Sequence, residues 1–198
     1  MNVGIFGGSF NPPHKVHLAI CRQLIKSGKV DKVIFVPTGD KYEKDGLISA
    51  KHRLNMLNLA IFNENKVFYA SNYEMRGNER VFTYQTLRHF KNAFPNDKIL
   101  LICGADNFMQ LQSWKNYKEI LRNYKIIVVK RNGEDLNRQI NALSKFGLRC
   151  EIADFDECDL SSTKIRSILK NNKKLTLKNR FLDENVLKYI KSNNIYER

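Results

Sequence analysis

The chain has 198 residues, 42% of them hydrophobic and 27% charged, and 34 Lys and Arg against 20 Asp and Glu give a formal charge of +14. This is globular material, long enough for one domain with its own core, and it excludes collagen-like, disordered and disulfide-dense chains. No apolar run approaches the roughly 18–20 residues of a membrane span and no secretory leader pattern is present, so the expected setting is the cytoplasm, with no membrane partner.

The predicted elements alternate along the chain. Val3-Gly4-Ile5-Phe6 reads as a short buried strand, and Val16 to Lys26 as a helix with apolar residues at helical spacing. Val33 to Val36 is the next strand, closed by Pro37, and the polar loop Thr38 to Leu47 leads to a helix over Ser49 to Phe62. Val67 to Ala70 is a third strand and Thr83 to Asn92 a third helix. The most apolar strand, Ile99 to Cys103, stops at Gly104 and is followed by a helical stretch through Leu121. Ile126 to Val129 is a strand, Asp135 to Lys145 a helix and Arg149 to Ala153 the last strand. Helices over Thr163 to Lys170 and Asp183 to Lys191 close the chain.

Short, continuous apolar strands separated by helices predict an α/β fold: a doubly wound, mostly parallel sheet with helices on both faces. No repeat or linker divides residues 1–198, which read as a single domain including a C-terminal helical segment from about residue 161. In such sheets ligands sit beyond the carboxyl ends of the strands, where the strand order reverses. Informative residues are therefore expected just after each strand.

After the first strand the chain reads Gly7-Gly8-Ser9-Phe10-Asn11-Pro12-Pro13-His14-Lys15-Val16-His17. Glycines let backbone amides approach a ligand, and the helix that follows offers free N–H groups at its positive end, a setting for phosphate. His14 and His17 share one face of that helix start. Neither the P-loop nor the dinucleotide-fold glycine pattern is present. A second segment, Asp159-Leu160-Ser161-Ser162-Thr163-Lys164-Ile165-Arg166, opens a later helix with three hydroxyl residues and two cations. By itself it also fits plain helix capping. Paired with the first loop, it supplies a second phosphate-binding helix start.

Cysteines 21, 103, 150 and 158 have neither paired nor zinc-ligand spacing and read as reduced thiols, with Cys21 and Cys103 buried in apolar stretches; no metal site is expected. Ten of the 34 cations fall in residues 164–198 against three carboxylates. With 22 Lys and 22 Asn in the chain, most of this surplus reads as solvated surface.

The loop Gly7 to His17 and the run Ser161 to Arg166 resemble the HxGH and (I/L)SSTx(I/V)R signatures of a nucleotidyltransferase superfamily. The interior is similar to the bacterial nicotinate-nucleotide adenylyltransferase family. The residues that carry this likeness are Glu74-Met75-Arg76 with Thr83-Tyr84-Gln85-Thr86-Leu87, Gly104-Ala105-Asp106-Asn107 with Trp114, and Val186, Tyr189 and Ile190 through Ile195-Tyr196. Three departures stand out: Val16 occupies the motif glycine, Phe82 replaces the serine of the family's SYT element, and Thr38 to Lys44 lacks the family's Pro-Pro-His-Lys-like element, leaving Lys41 or Lys44 to supply the charge.

The resemblance implies a Rossmann-like nucleotidyltransferase fold and transfer of AMP from ATP to nicotinate mononucleotide in NAD biosynthesis, releasing pyrophosphate. It assigns ATP to Gly7, Gly8, Ser9, Phe10, His14, His17, Ser161, Ser162, Thr163, Lys164 and Arg166, with His14, His17, Lys164 and Arg166 catalytic. It assigns the acceptor to Thr83, Tyr84, Gly104, Asp106, Trp114 and Lys44, and Mg²⁺ to the ATP phosphates. Alternatives are a related adenylyltransferase using nicotinamide mononucleotide or phosphopantetheine, or a basic nucleic-acid-binding protein. The last has no recognisable binding motif here, and no nucleic-acid partner is expected. Oligomeric state stays open.

Overall fold

The computed structural model describes residues 1–42, 45–130, 135–155, 162–170 and 181–196. Strands β1 (Asn2–Gly8), β2 (Lys32–Pro37), β3 (Phe68–Ala70), β4 (Lys98–Gly104), β5 (Lys125–Lys130) and β6 (Arg149–Asp154) form one sheet in the order β3-β2-β1-β4-β5-β6. Every neighbouring pair is parallel, so the sheet, expected to be mostly parallel, is wholly so. The helices are α1 (Lys15–Lys26), α2 (Ala50–Ile61), α3 (Thr83–Ala93), α4 (Ala105–Met109), α5 (Tyr117–Asn123), α6 (Asn137–Ser144), α7 (Ser162–Lys170) and α8 (Glu184–Ser192).

Parallel register divides the strand side chains between two cores. Phe6 lies beside Phe35 and Ile102, and this row packs under α1, α2, α7 and α8 with Leu24, Met56, Leu57, Ile165 and Val186. Ile5 lies beside Ile34 and Leu101, and that row packs on the other face with Leu87, Phe90, Phe108, Ile120 and Leu143 from α3 to α6. Each such buried side chain contributes about 1.5–3 kcal/mol relative to exposure. The strands are continuous apolar runs because both faces are covered.

The helical stretch expected through Leu121 is two short helices joined by a 3₁₀ turn at Leu111–Ser113. Asn116 takes a left-handed φ of 55° just before α5, a conformation asparagine tolerates better than most residues, and this breaks the run. Cys21 and Cys103 are buried free thiols, and Cys150 is a free thiol, half-buried. Burial pushes the Cys21 thiol up, and the Cys103 thiol up to about 12, which makes both poor nucleophiles. Cys158 lies outside the described residues. Among the described residues no helix is long and apolar enough to cross a membrane.

The strand order reverses between β1 and β4, so the connections leaving these neighbours diverge and open a crevice at the carboxyl edge. A second loop is drawn to that edge by a close backbone contact. A Cβ on Gly39, two residues past β2, would stand 2.1 Å from the Glu74 carbonyl oxygen. Only glycine lets the loop after β2 rest on the segment that leads into α3. Gly39→Ala is therefore expected to destabilise the fold by about 1–3 kcal/mol, the usual range for forced overpacking. Denaturant midpoints of the two proteins check this; an unchanged midpoint would show that the contact is not held in solution.

Candidate active site

The site begins with Phe10, the residue that turns the chain after β1. Its φ of 46° costs on the order of 1–3 kcal/mol for a non-glycine residue. Burial of its ring offsets that strain: Phe10 is 2% exposed and packs edge-on against Phe6 and Phe35, with centroids 5.7 and 5.8 Å away. The same ring meets His17 edge-on at 5.1 Å. The strained turn thus places an aromatic platform beneath the histidine.

His14 is the N-cap residue of α1 and His17 lies in its first turn. The His14 backbone N–H donates to Nδ1 of His17 at 3.1 Å, and the His17 N–H donates to the His14 carbonyl at 2.9 Å. An Nδ1 that accepts leaves the imidazole proton on Nε2, which makes Nε2–H of His17 a hydrogen-bond donor. The two rings stack with centroids 3.6 Å apart. Val16, in the place of the motif glycine, is buried among the first core cluster and does not part the histidines.

The second motif folds directly onto this loop. Ser162, the first residue of α7, donates from Oγ to the Pro12 carbonyl at 3.1 Å. Arg166 donates to the Asn11 carbonyl at 2.8 Å and to Thr163 Oγ1 at 3.2 Å. Two segments about 150 residues apart are thereby joined at their helix starts. Thr163 and Lys164 are exposed on the first turn of α7. Ser161 lies outside the described residues, as does Lys44.

Three residues without a role in the sequence reading hold these loops. Arg53 of α2 is fully buried, yet it donates to the carbonyls of Ile48 (2.9 Å), Ser9 (2.9 Å) and Thr38 (2.6 Å) and lies 3.6 Å from the Asp40 carboxylate. Burial draws its guanidinium pKa down, and Asp40 acts the other way. Asn11, 3% exposed, receives the hydroxyl of Tyr196 on Oδ1 at 2.6 Å and donates from Nδ2 to the Gly46 carbonyl at 2.8 Å. The available signal was an arginine on the apolar face of α2, beside Met56 and Leu57. Nothing local marked Asn11 or Tyr196 as a pair.

The predicted acceptor residues other than Lys44 lie at the start of α3 and in the segment from the end of β4 to Trp114. Thr83 and Tyr84 open α3, so their amides fall in the first turn, where no intrahelical acceptor exists. The preceding Phe82 N–H is taken by Gln85 Oε1 at 2.9 Å. Lys115 Nζ sits 4.5 Å over the Phe82 ring, which brings the Trp114–Lys115 segment to the start of α3. Arg80 bridges the same ring (5.1 Å) to Tyr42 (4.8 Å) and so joins the loop after β2 to this group. Trp114 and Tyr84 are half-buried against the second core cluster. Asp106 is exposed at the start of α4 and folds back over Gly104, where an added Cβ would meet its Oδ1 at 2.6 Å. A cavity of 580 Å³ lies elsewhere; Met1, Lys32, Tyr69 and Phe94 line it, and no predicted site residue does.

Comparison with known proteins decides the family. The model of cytidylyltransferase-like proteins matches residues 5–168. The chain is 36% identical over 196 residues to the probable nicotinate-nucleotide adenylyltransferase of Endomicrobium trichonymphae, covering 98% of each. It is 37% identical over 179 residues to that of Clostridium novyi (strain NT), covering 87% of this chain and 89% of the other. The chain belongs to the nicotinate-nucleotide adenylyltransferase family. A solved structure, the Plasmodium falciparum nicotinic acid mononucleotide adenylyltransferase complexed with NaAD, matches with a TM-score of 0.82. It covers 99% of this chain and 97% of its own at 20% identity, and places the chain in the Rossmann-like nucleotidyltransferase fold.

Within this family member one carboxyl group is held far from its ordinary state. Glu74 is largely withdrawn from water, and desolvation pushes its pKa up to about 7, against the lowering effects of the Thr86 hydroxyl (2.6 Å) and the nearby Arg53 and Arg80 charges. The folded state therefore holds this proton more tightly than the unfolded chain, whose ordinary value is 4.5. Stability is undiminished below about pH 4.5, falls as the pH rises toward 7, and levels off above that. Glu74→Gln keeps an oxygen for Thr86 but cannot ionise. Its denaturation midpoint is expected to exceed that of the wild type increasingly between pH 4.5 and 7.5; a constant difference across that range would refute the burial of an ionisable Glu74.

Proposed function

We propose that the chain makes nicotinate adenine dinucleotide from ATP and nicotinate mononucleotide, with the residues described above holding the two substrates across the β1–β4 crevice. The observation that carries this assignment of roles is the hydrogen bonding of α7 to the first loop, Ser162 to Pro12 and Arg166 to Asn11, which brings the starts of α1 and α7 together as binding one triphosphate at both would require. An oxygen of the acceptor's 5′-phosphate attacks the α-phosphorus of ATP. The bond from that phosphorus to the bridging oxygen breaks, and pyrophosphate leaves with the electron pair. The attacking phosphate is already ionised at neutral pH, so no general base is required. Rate acceleration then rests on alignment and on donors aimed at the charge that builds on the leaving pyrophosphate.

His17, fixed by the Phe10 ring and the His14 amide, donates from Nε2 to the triphosphate, and His14 lies stacked beside it. Lys164, Arg166 and the amides at the start of α7 take the β- and γ-phosphates. Gly7 and Gly8 permit close approach of the loop backbone, and Ser9 and Phe10 shape it. Thr83 and Tyr84 offer amides to the pyridine carboxylate, Trp114 its ring to the pyridine, and Gly104 and Asp106 the ribose contacts. Mg²⁺ would arrive on the ATP phosphates as part of the substrate.

Two measurements test the proposal. His17→Ala is expected to lower kcat at least ~100-fold, the scale of losing one donor to a developing oxyanion; an unchanged kcat removes His17 from the mechanism. Pyrophosphate release from Mg·ATP is expected to be fastest with nicotinate mononucleotide as acceptor, against nicotinamide mononucleotide and phosphopantetheine. Preference for either of the others would overturn the acceptor assignment.

A further inference from the structure

Tyr196 lies at the far end of the chain from the catalytic loop and belongs to none of the motifs that bind phosphate. Its ring follows Ile195, a buried core residue, and its hydroxyl reaches Asn11 Oδ1 at 2.6 Å. The donor and acceptor roles in this contact are fixed by what lies on the other side of Asn11. The Gly46 carbonyl, 2.8 Å away, can only accept, so the amide must present Nδ2 to it and Oδ1 to the tyrosine. Tyr196 must then donate. Burial pushes its phenol pKa up, so the hydroxyl keeps its proton throughout the neutral range.

Three parts of the cleft meet at this one asparagine. Its backbone belongs to the first loop, its Nδ2 holds the loop after β2 through Gly46, and its carbonyl receives Arg166 of α7 at 2.8 Å. Rotation of the amide would set its oxygen against the Gly46 carbonyl, a repulsive contact that would release the loop after β2. Displacement of the residue would also shift the acceptor that aims Arg166. A donor on Oδ1 opposes both motions.

We infer that Tyr196 is a positioning residue for ATP: by donating to Asn11 Oδ1 it locks the amide that ties the loop after β2 and Arg166 to the phosphate loop. The inference rests on the proposed placement of ATP beside Arg166 and the first loop. The effect is expected to fall mainly on the nucleotide triphosphate side of the cleft, because Asn11 braces Arg166 and the first loop directly, whereas Thr83, Tyr84 and Trp114 share no hydrogen bond with the Asn11 group among the described residues and meet the loop after β2 through Arg80 and Tyr42.

Tyr196→Phe keeps the ring and its packing and removes the donor. We expect the KM for Mg·ATP to rise about five- to tenfold, the size of one lost hydrogen bond to a buried acceptor, while the KM for nicotinate mononucleotide stays within twofold. A purely structural role would move both constants together or neither. Asn11→Ala and the double variant complete a cycle in which Tyr196→Phe adds nothing once the amide is gone. An unchanged KM for Mg·ATP in Tyr196→Phe, equal changes in both KM values, or additive effects in the double variant would each overturn the inference. Failure of the wild type to form the dinucleotide would instead refute the functional reading on which it rests.

Discussion

A charge that water cannot reach organises the active edge of this protein. Moving a guanidinium out of water costs several kcal/mol even in a relaxed protein interior, so it persists only where its donors are nearly all used. Arg53 meets that demand with three main-chain carbonyls from two connections, Ser9 after β1 and Thr38 and Ile48 after β2, and with the Asp40 carboxylate nearby. The requirement acts in both directions. Carbonyls in loops over a sheet edge also need donors, and a single rigid fork supplies three of them from the first turn of α2. The loops after β1 and β2 therefore cannot move independently, and the cleft between them keeps one shape.

That fixed frame explains how a strained turn can be kept at Phe10. The left-handed backbone there points the ring into the first core cluster and under His17, and burial of an aromatic side chain exceeds the cost of the conformation. His17 in turn takes its tautomer from the His14 amide. Each step sets a direction for the next, from backbone strain to ring to imidazole proton. Glu74 belongs to the same frame from the other side: its carbonyl packs against Gly39, while its carboxyl group is withdrawn from water next to Thr86.

The architecture was legible because it rests on local patterns. All six strands and the flanking helices follow from apolar runs and helical spacing, and the carboxyl-edge location follows from parallel topology. Legible too were the loop Gly7 to His17 and the helix start at Ser162, whose residue types are unusual in combination. The break at Asn116 was not legible, since a left-handed asparagine in a polar stretch looks like any other surface residue. The couplings that hold the site were hidden for a different reason. Arg53 with Ser9, Asn11 with Tyr196 and Arg166 with Asn11 join residues 44, 185 and 155 positions apart, and such pairs leave no periodic trace. The contact of Lys115 with Phe82 is of the same kind: only the tertiary fold brings the acceptor segments together.

The formal charge of +14 takes on a different meaning beside these contacts. Lys125 and Lys29 share Glu151 on the surface, Arg22 pairs with Glu64 and Arg88 with Glu119, all in exposed or half-exposed settings where ion pairs contribute little. The cations that shape the cleft are few and differ in kind from these. Arg53 is spent on the protein's own carbonyls, the Thr38 hydroxyl and Asp40, and Arg166 is braced by Asn11 at the start of α7. A phosphate-transfer site that needs no base gains little from a general positive field, because its substrates are bound by donors at defined angles. What such a reaction requires is that those donors not reorganise as charge moves, and on the proposed placement of ATP a buried arginine, a hydrogen-bonded asparagine and a packed aromatic turn would supply that rigidity.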